Sequence, residues 1–142
     1  MYSGDNLLYL LTMLEAIEKV ERYTMPFGDA QDFFQKDDQL HFHASSHLLL
    51  AIGEESKNLE KALRDGYSQI PWKLMAGMRN RLSHDYRGTD PHLVFSVIKN
   101  ELSPLKLALL DMLHKITLDK AALEAALKSD FYKHLGYLRQ LL

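Results

Sequence analysis

No cysteine occurs in the 142 residues, which excludes a disulfide framework, thiolate zinc sites and a cysteine nucleophile, and agrees with a reducing compartment. The start, Met-Tyr-Ser-Gly-Asp-Asn, lacks the positive charge of a signal peptide, so the cytoplasm is the expected location. Long apolar runs are missing too. The best of them, Leu7 to Leu14 interrupted by Thr12, is far shorter than the roughly 20 residues that cross a bilayer, so no membrane role is expected. Nor is there an excess of positive charge. The formal net charge is −2, so any contact with nucleic acid must come from a local patch. One such patch exists. Between Pro71 and Asp90 four bases face two acids, whereas between Gly28 and Asp65 eight acids face four bases.

What remains is an ordinary globular composition, 46% hydrophobic and 25% charged, in a chain long enough to bury roughly two thirds of its unfolded surface as one domain, residues 1–142. From Asp5 to about Tyr23 the residues Leu7, Leu10, Leu11, Leu14, Ile17 and Val20 recur at helical spacing. Met25-Pro26-Phe27-Gly28 breaks the pattern, and Asp29 can cap a short turn carrying Phe33 and Phe34, which read as packing residues. Asp37 or Asp38 can cap a long helix running to about Arg64 and closed by Asp65-Gly66. Pro71 suits the first turn of the next helix. Asp90-Pro91 opens another, reaching about Ile116, which Pro104 should kink or split. From Asp119 an Ala- and Leu-rich segment runs to the end. No strand pair, internal repeat or low-complexity tract is visible. The expected fold is an all-α, up-and-down bundle of four main helices, with residues 117–142 as a helical tail of open role.

The stretch from Pro71 to His84 departs from the habits of a solvated helix. On a wheel of about 100° per residue, Pro71, Leu74, Met75, Met78 and Leu82 form the core arc. The opposite face holds Ala76, Gly77, Asn80, Ser83 and His84, with Lys73 as its single long charge and no acid anywhere in the stretch. A glycine in mid-helix costs about 1 kcal/mol relative to alanine, and such a residue suits a place where another backbone or a ligand comes close. Next to it, Arg79-Asn80-Arg81-Leu82-Ser83-His84-Asp85-Tyr86 crowds a guanidinium, an amide, an imidazole and a phenol around one helix end. Phosphodiester chemistry uses such groups: arginine offers a permanently charged fork to phosphate oxygens, and histidine can move a proton from a ribose 2′-hydroxyl or to a leaving oxygen. Arg79 and His84, five residues apart, point about 140° away from each other on an ideal helix. Either the helix unwinds at His84, or two subunits bring these faces together about a two-fold axis, where the small residues permit close packing.

The block from Ile70-Pro71-Trp72 through Arg79, Asn80, His84 and Tyr86 to Gly88-Thr89-Asp90 resembles the signature of HepT-like proteins of the HEPN family, with a weaker match at Ala51-Ile52-Gly53-Glu54-Glu55-Ser56. The tail beyond about Thr117 lies outside the resemblance, and Thr89 stands where that family often has an aliphatic residue. The resemblance implies a homodimeric, metal-independent toxin endoribonuclease without cofactor, its arginine–histidine motif at a cleft between subunits. The implied reaction is attack of a 2′-hydroxyl on the adjacent phosphate, leaving a 2′,3′-cyclic phosphate and a 5′-hydroxyl. In it His84 would transfer protons, Arg79 would stabilise the phosphorane, and Asn80 would orient phosphate or histidine. The implied partner is a minimal nucleotidyltransferase antitoxin that adenylylates Tyr86.

Rival readings stay open at this stage. The same basic patch would serve a non-catalytic subunit that presents nucleotide to a transferase. Tyr86 could simply pack its ring and bond its hydroxyl to a neighbour. Among His41, His43 and His47, the four-residue spacing of the last two can hold a metal, but no cysteine or carboxylate partner supports it and satisfied polar histidines are the favoured reading. Glu54 and Glu55 could be paired catalytic carboxylates, against which a solvated face or a salt bridge to arginine is favoured.

Overall fold

Leu7, Leu10, Leu11, Leu14, Ile17 and Val20 are all buried along one helix, α1, Asn6–Thr24. The computed structural model describes residues 1–142. Beyond α1 it contains α2 (Ala30–Gln35), α3 (Leu40–Asn58), α4 (Lys61–Asp65), α5 (Trp72–His84), α6 (Pro91–Met112) and α7 (Lys120–Leu127), with 3₁₀ turns at Lys36–Gln39 and Lys133–Leu141. The only β feature is an isolated parallel bridge between Tyr2 and Ile116. The fold is therefore the all-α bundle expected, with α1, α3, α5 and α6 as its long members and a helical tail after them. Helix α3 packs on both α1 and α5, while α6 closes against α1 and α2. No helix is long and apolar enough to cross a membrane.

Asp29 caps α2 as expected, accepting from the Asp32 amide, and the aspartates at the expected starts of two later helices prove to be caps as well, Asp90 accepting from the His92 amide and Asp119 from that of Ala122. Phe33 is fully buried, with the Phe42 and Phe95 rings against it. The long helix expected from Asp37 or Asp38 to Arg64 needs two corrections. Neither aspartate caps it. Asp37, Asp38 and Gln39 have φ of 50, 55 and 70°, a left-handed turn that costs of order 1 kcal/mol per residue, and α3 begins only at Leu40 with no side-chain cap. The helix also stops at Asn58, because the buried Asn6 side chain takes the Glu60 amide at 2.9 Å and draws the chain out to ψ 127° there before α4 starts. Pro104 does not split α6, which runs unbroken past it and ends at Met112, short of Ile116. Pro104 and Asn100 are exposed, so the carbonyl that Pro104 leaves without its helical partner faces water.

The tail folds back on α1. Leu123, Leu127, Leu135 and Leu138 are buried, the Tyr132 and Thr12 hydroxyls lie 2.8 Å apart, and the Glu18 carboxylate receives His134 at 3.0 Å, the Tyr137 hydroxyl, and Lys106 at 3.4 Å. Burial pushes the Glu18 pKa up. The hydrogen bonds from Tyr137 and His134, with the charges of Lys106 and His134, outweigh it and hold the group below its ordinary 4.5. A carboxylate with a depressed folded pKa adds stability that is present above the unfolded value and lost as pH falls through the folded one. The thermal midpoint of the wild type should therefore drop as pH is lowered below about 4.5, and Glu18→Gln should start lower and lose less over the same interval. Parallel melting curves for the two proteins would contradict the role given to Glu18.

Candidate active site

Helix α5 is set by its apolar arc. Met75, Met78 and Leu82 are buried, Pro71 and Leu74 partly so, and Pro71 stands one residue ahead of the first helical position. Its crossing with α3 is close because Gly53 has no side chain. A Cβ there would stand 2.5 Å from Arg79 Cβ and 3.0 Å from the Met75 carbonyl oxygen. The Arg79 stem therefore runs directly over α3, where its Nε donates to the Glu54 carboxylate. Nη1 donates to Asn80 Oδ1 at 3.0 Å. Asn80 thus meets the arginine, rather than the histidine or a free space. A guanidinium carries five N–H donors in a fixed fork, so these two contacts orient it and leave donors for a phosphate. Glu55 does not share the ion pair. Burial first, and the Glu54 charge beside it, raise its pKa, with the Asn58 amide opposing them. Of the two glutamates, then, Glu54 has the salt-bridge role that the sequence favours.

Helix α5 stays helical through His84, which is exposed at its last position. Unwinding, the first of the two ways to bring Arg79 and His84 together, does not occur. The helix ends here, because Asp85 turns to φ −142°, ψ 59° and the Thr89 hydroxyl donates to the Asp85 carbonyl at 2.9 Å. Gly88 lies against the Asp85 carboxylate, in space a Cβ would need. This tight turn throws Tyr86 back onto α3. Its half-buried ring stacks on His43 with centroids 5.7 Å apart and planes 16° from parallel, its hydroxyl is 2.7 Å from His43 Nδ1, and the Phe42 ring meets its edge. The ring packs and its hydroxyl has a neighbour. Beside the pair opens a cleft of 240 Å³ whose lining includes Gln39, Phe42, Arg87 and Thr89.

His41 bonds Asp37 at 3.2 Å, His43 holds Tyr86, and His47 is exposed. No group of three or more His, Asp or Glu side chains converges to hold a metal ion. Beyond its chain neighbours and the adjacent backbone of α5, Gly77 has no atom within 4 Å of where a Cβ would stand, and Asn80, Ser83 and His84 on the same face are exposed. The close approach that a mid-helix glycine suggests is therefore not made within one chain.

The model of the family described as "Ribonuclease HepT-like" matches residues 13–112. The chain belongs to the HepT-like ribonuclease family. The match ends at the close of α6, so the tail that packs on α1 lies outside the shared domain. Among relatives, a Methanocaldococcus jannaschii protein named "Gamma-glutamylcyclotransferase and putative RNase" is 34% identical over 116 residues, 82% of this chain and 51% of its own length. A "Putative RNase" of Caldanaerobacter subterraneus subsp. tengcongensis is 39% identical over 64 residues, 45% of this chain and 57% of the relative. The "Probable ribonuclease HepT" of Thermococcus cleftensis is 35% identical over 98 residues, 69% of this chain and 86% of the relative. The match thus spans little more than half the length of the first two. No solved structure matches the chain.

Proposed function

We propose that this HepT-like chain is a toxin endoribonuclease that cuts RNA without a metal ion, at a cleft shared by two copies. The observation that carries the reading is the pose of α5. Arg79 is drawn toward α3 by Glu54, while His84 stands exposed at the end of a helix that does not unwind. Two copies meeting on the Ala76, Gly77, Asn80, Ser83 and His84 face would set the arginine of one against the histidine of the other. The reaction then needs nothing beyond these side chains. The 2′-oxygen attacks the neighbouring phosphorus, its proton passing to a neutral His84, and the bond to the 5′-oxygen breaks as that oxygen takes a proton back from the same His84 imidazolium. Arg79, aimed by Glu54 and Asn80, carries the charge that builds on the phosphorane. The products are a 2′,3′-cyclic phosphate and a 5′-hydroxyl. In this reading a minimal nucleotidyltransferase is the antitoxin, and it silences the cleft by placing a nucleotidyl group on Tyr86, a bulky anion near Arg87.

End-labelled RNA incubated with the purified protein in excess chelator should be cut, and the fragments should resist 5′-dephosphorylation and carry cyclic phosphate ends. Cleavage that requires an added divalent ion would defeat the metal-independent reading. Absence of cleavage, together with tight nucleotide binding in the presence of the transferase, would favour a binding subunit instead.

A further inference from the structure

The tyrosine hydroxyls differ in what holds them. Tyr67 donates to Asp111 at 2.6 Å and Tyr137 to Glu18, and Tyr132 meets the Thr12 hydroxyl. Burial first, and then the carboxylate partner, raise the Tyr67 and Tyr137 pKa values above the ordinary 10, which makes these oxygens poor nucleophiles. A carboxylate also cannot keep a phenolic proton, since its own pKa lies about six units lower. Tyr86 has a different partner, the imidazole of His43, 2.7 Å from its hydroxyl. A neutral imidazole nitrogen is a stronger base than a carboxylate or hydroxyl oxygen, so among these partners it is the one able to take up the phenolic proton as an electrophile arrives. The near-parallel stack of the two rings fixes the pair, and His43 is exposed, so a proton received there can leave to water.

We infer that His43 is the general base that turns the Tyr86 hydroxyl into a nucleophile toward the α-phosphorus of a nucleoside triphosphate. This rests on the reading of Tyr86 as a nucleotidyl acceptor. The phenolic oxygen forms a bond to the α-phosphorus, and the bond from that phosphorus to the bridging oxygen breaks. Pyrophosphate leaves with the electron pair, and the phenolic proton passes to His43 Nδ1 and on to water. The transferase supplies the triphosphate and its magnesium. The chain itself supplies the base and, from the same cleft, the Arg87 cation for the incoming phosphate. The other ionisable groups nearby are His47, one turn further along α3, His84 and Asp85, which precede Tyr86, and the His41–Asp37 pair at the start of α3. None of these is recorded in contact with the Tyr86 hydroxyl, whose one hydrogen bond is to His43.

The test uses the full chain with two electrophiles, each mapped by peptide mass spectrometry between about pH 5.5 and pH 8.5, a range spanning the imidazole titration. One is N-acetylimidazole, which needs no partner, with the exposed Tyr23 as internal reference. The other is ATP with magnesium and the cognate transferase. For the wild type, the Tyr86 rate in both reactions should rise with pH through a single ionisation that Tyr23 lacks. His43→Gln keeps a hydrogen-bond acceptor and His43→Phe keeps the stack. Both should lose that limb and slow Tyr86 by about tenfold or more, with helical content unchanged. Equal acetylation of Tyr86 in wild type and both variants, with the same pH profile, overturns the inference whatever the transferase does. If acetylation depends on His43 but no nucleotidyl adduct forms on wild-type Tyr86, the acceptor reading fails and the action of His43 on the phenol stands.

Discussion

Arg79→Ala and His84→Ala, each inactive by itself, should regain about a quarter of wild-type RNA cleavage when the two proteins are denatured, mixed and refolded together. The number follows from symmetry. In a two-fold cleft there are two arginine–histidine pairs, each drawing one residue from either copy. A mixed dimer places both lesions in one pair and leaves the other intact. Random association makes about half of the dimers mixed, each with one working pair of two, hence about a quarter of the wild-type rate. Each single variant should lose a factor of about 10² to 10⁴, the size expected for removing a proton-transfer group or a preorganised donor to a developing anion. If both residues served from one chain, every site in the mixture would carry a lesion and the mixture would stay dead. The structure favours the first outcome, because α5 is helical through His84 and Arg79 is tied to Glu54. Intact activity in either single variant would remove that residue from the chemistry altogether.

Much of this was legible because its causes are local. The periodicity of α1, the Asp29 cap, the helix starts at Asp90 and Asp119 and the core arc of α5 depend on residues within a turn or two of each other. The same local rules made Arg79 and Asn80 neighbours, and set His84 at an angle that one helix could not reconcile. What failed depended on contacts distant in sequence. The long helix expected to reach Arg64 is broken by Asn6, which lies 54 residues from the Glu60 amide it binds, and no pattern near Leu59 announces it. His43 reads as one of three histidines on a helix start, and its attachment to Tyr86 across 43 positions emerges only when the turn after His84 folds back. Glu54 was half visible. A salt bridge to arginine was the favoured reading, but which arginine it meets is decided by Gly53, whose bare backbone lets α5 approach until Arg79 lies over the carboxylate.

The two helical glycines near the site should answer substitution in opposite ways. At Gly53, alanine would force a Cβ to 2.5 Å from Arg79 Cβ and 3.0 Å from the Met75 carbonyl. Helices α3 and α5 would have to move apart, at a cost of about 1–3 kcal/mol. The thermal midpoint should fall, and cleavage with it, as the Arg79–Glu54 contact is displaced. At Gly77 nothing beyond the adjacent residues and backbone of α5 comes within 4 Å, and the glycine borders an open groove of 300 Å³ shared with Lys73, Met78 and Leu93. Leucine there should leave the isolated fold intact, or strengthen α5 by a few tenths of a kcal/mol to about 1 kcal/mol, since glycine is the poorer helix former. Yet it would stand in the face on which two copies are proposed to meet. Gly77→Leu should therefore give a well-folded chain that light scattering reports at half the wild-type mass, with RNA cleavage lost. The contrast matters because loss of activity at Gly53 has a structural explanation inside one chain, and loss at Gly77 has none. A Gly77→Leu protein that remained dimeric and active would remove the shared cleft, and Arg79 and His84 would then have to meet by a movement of α5 within one chain.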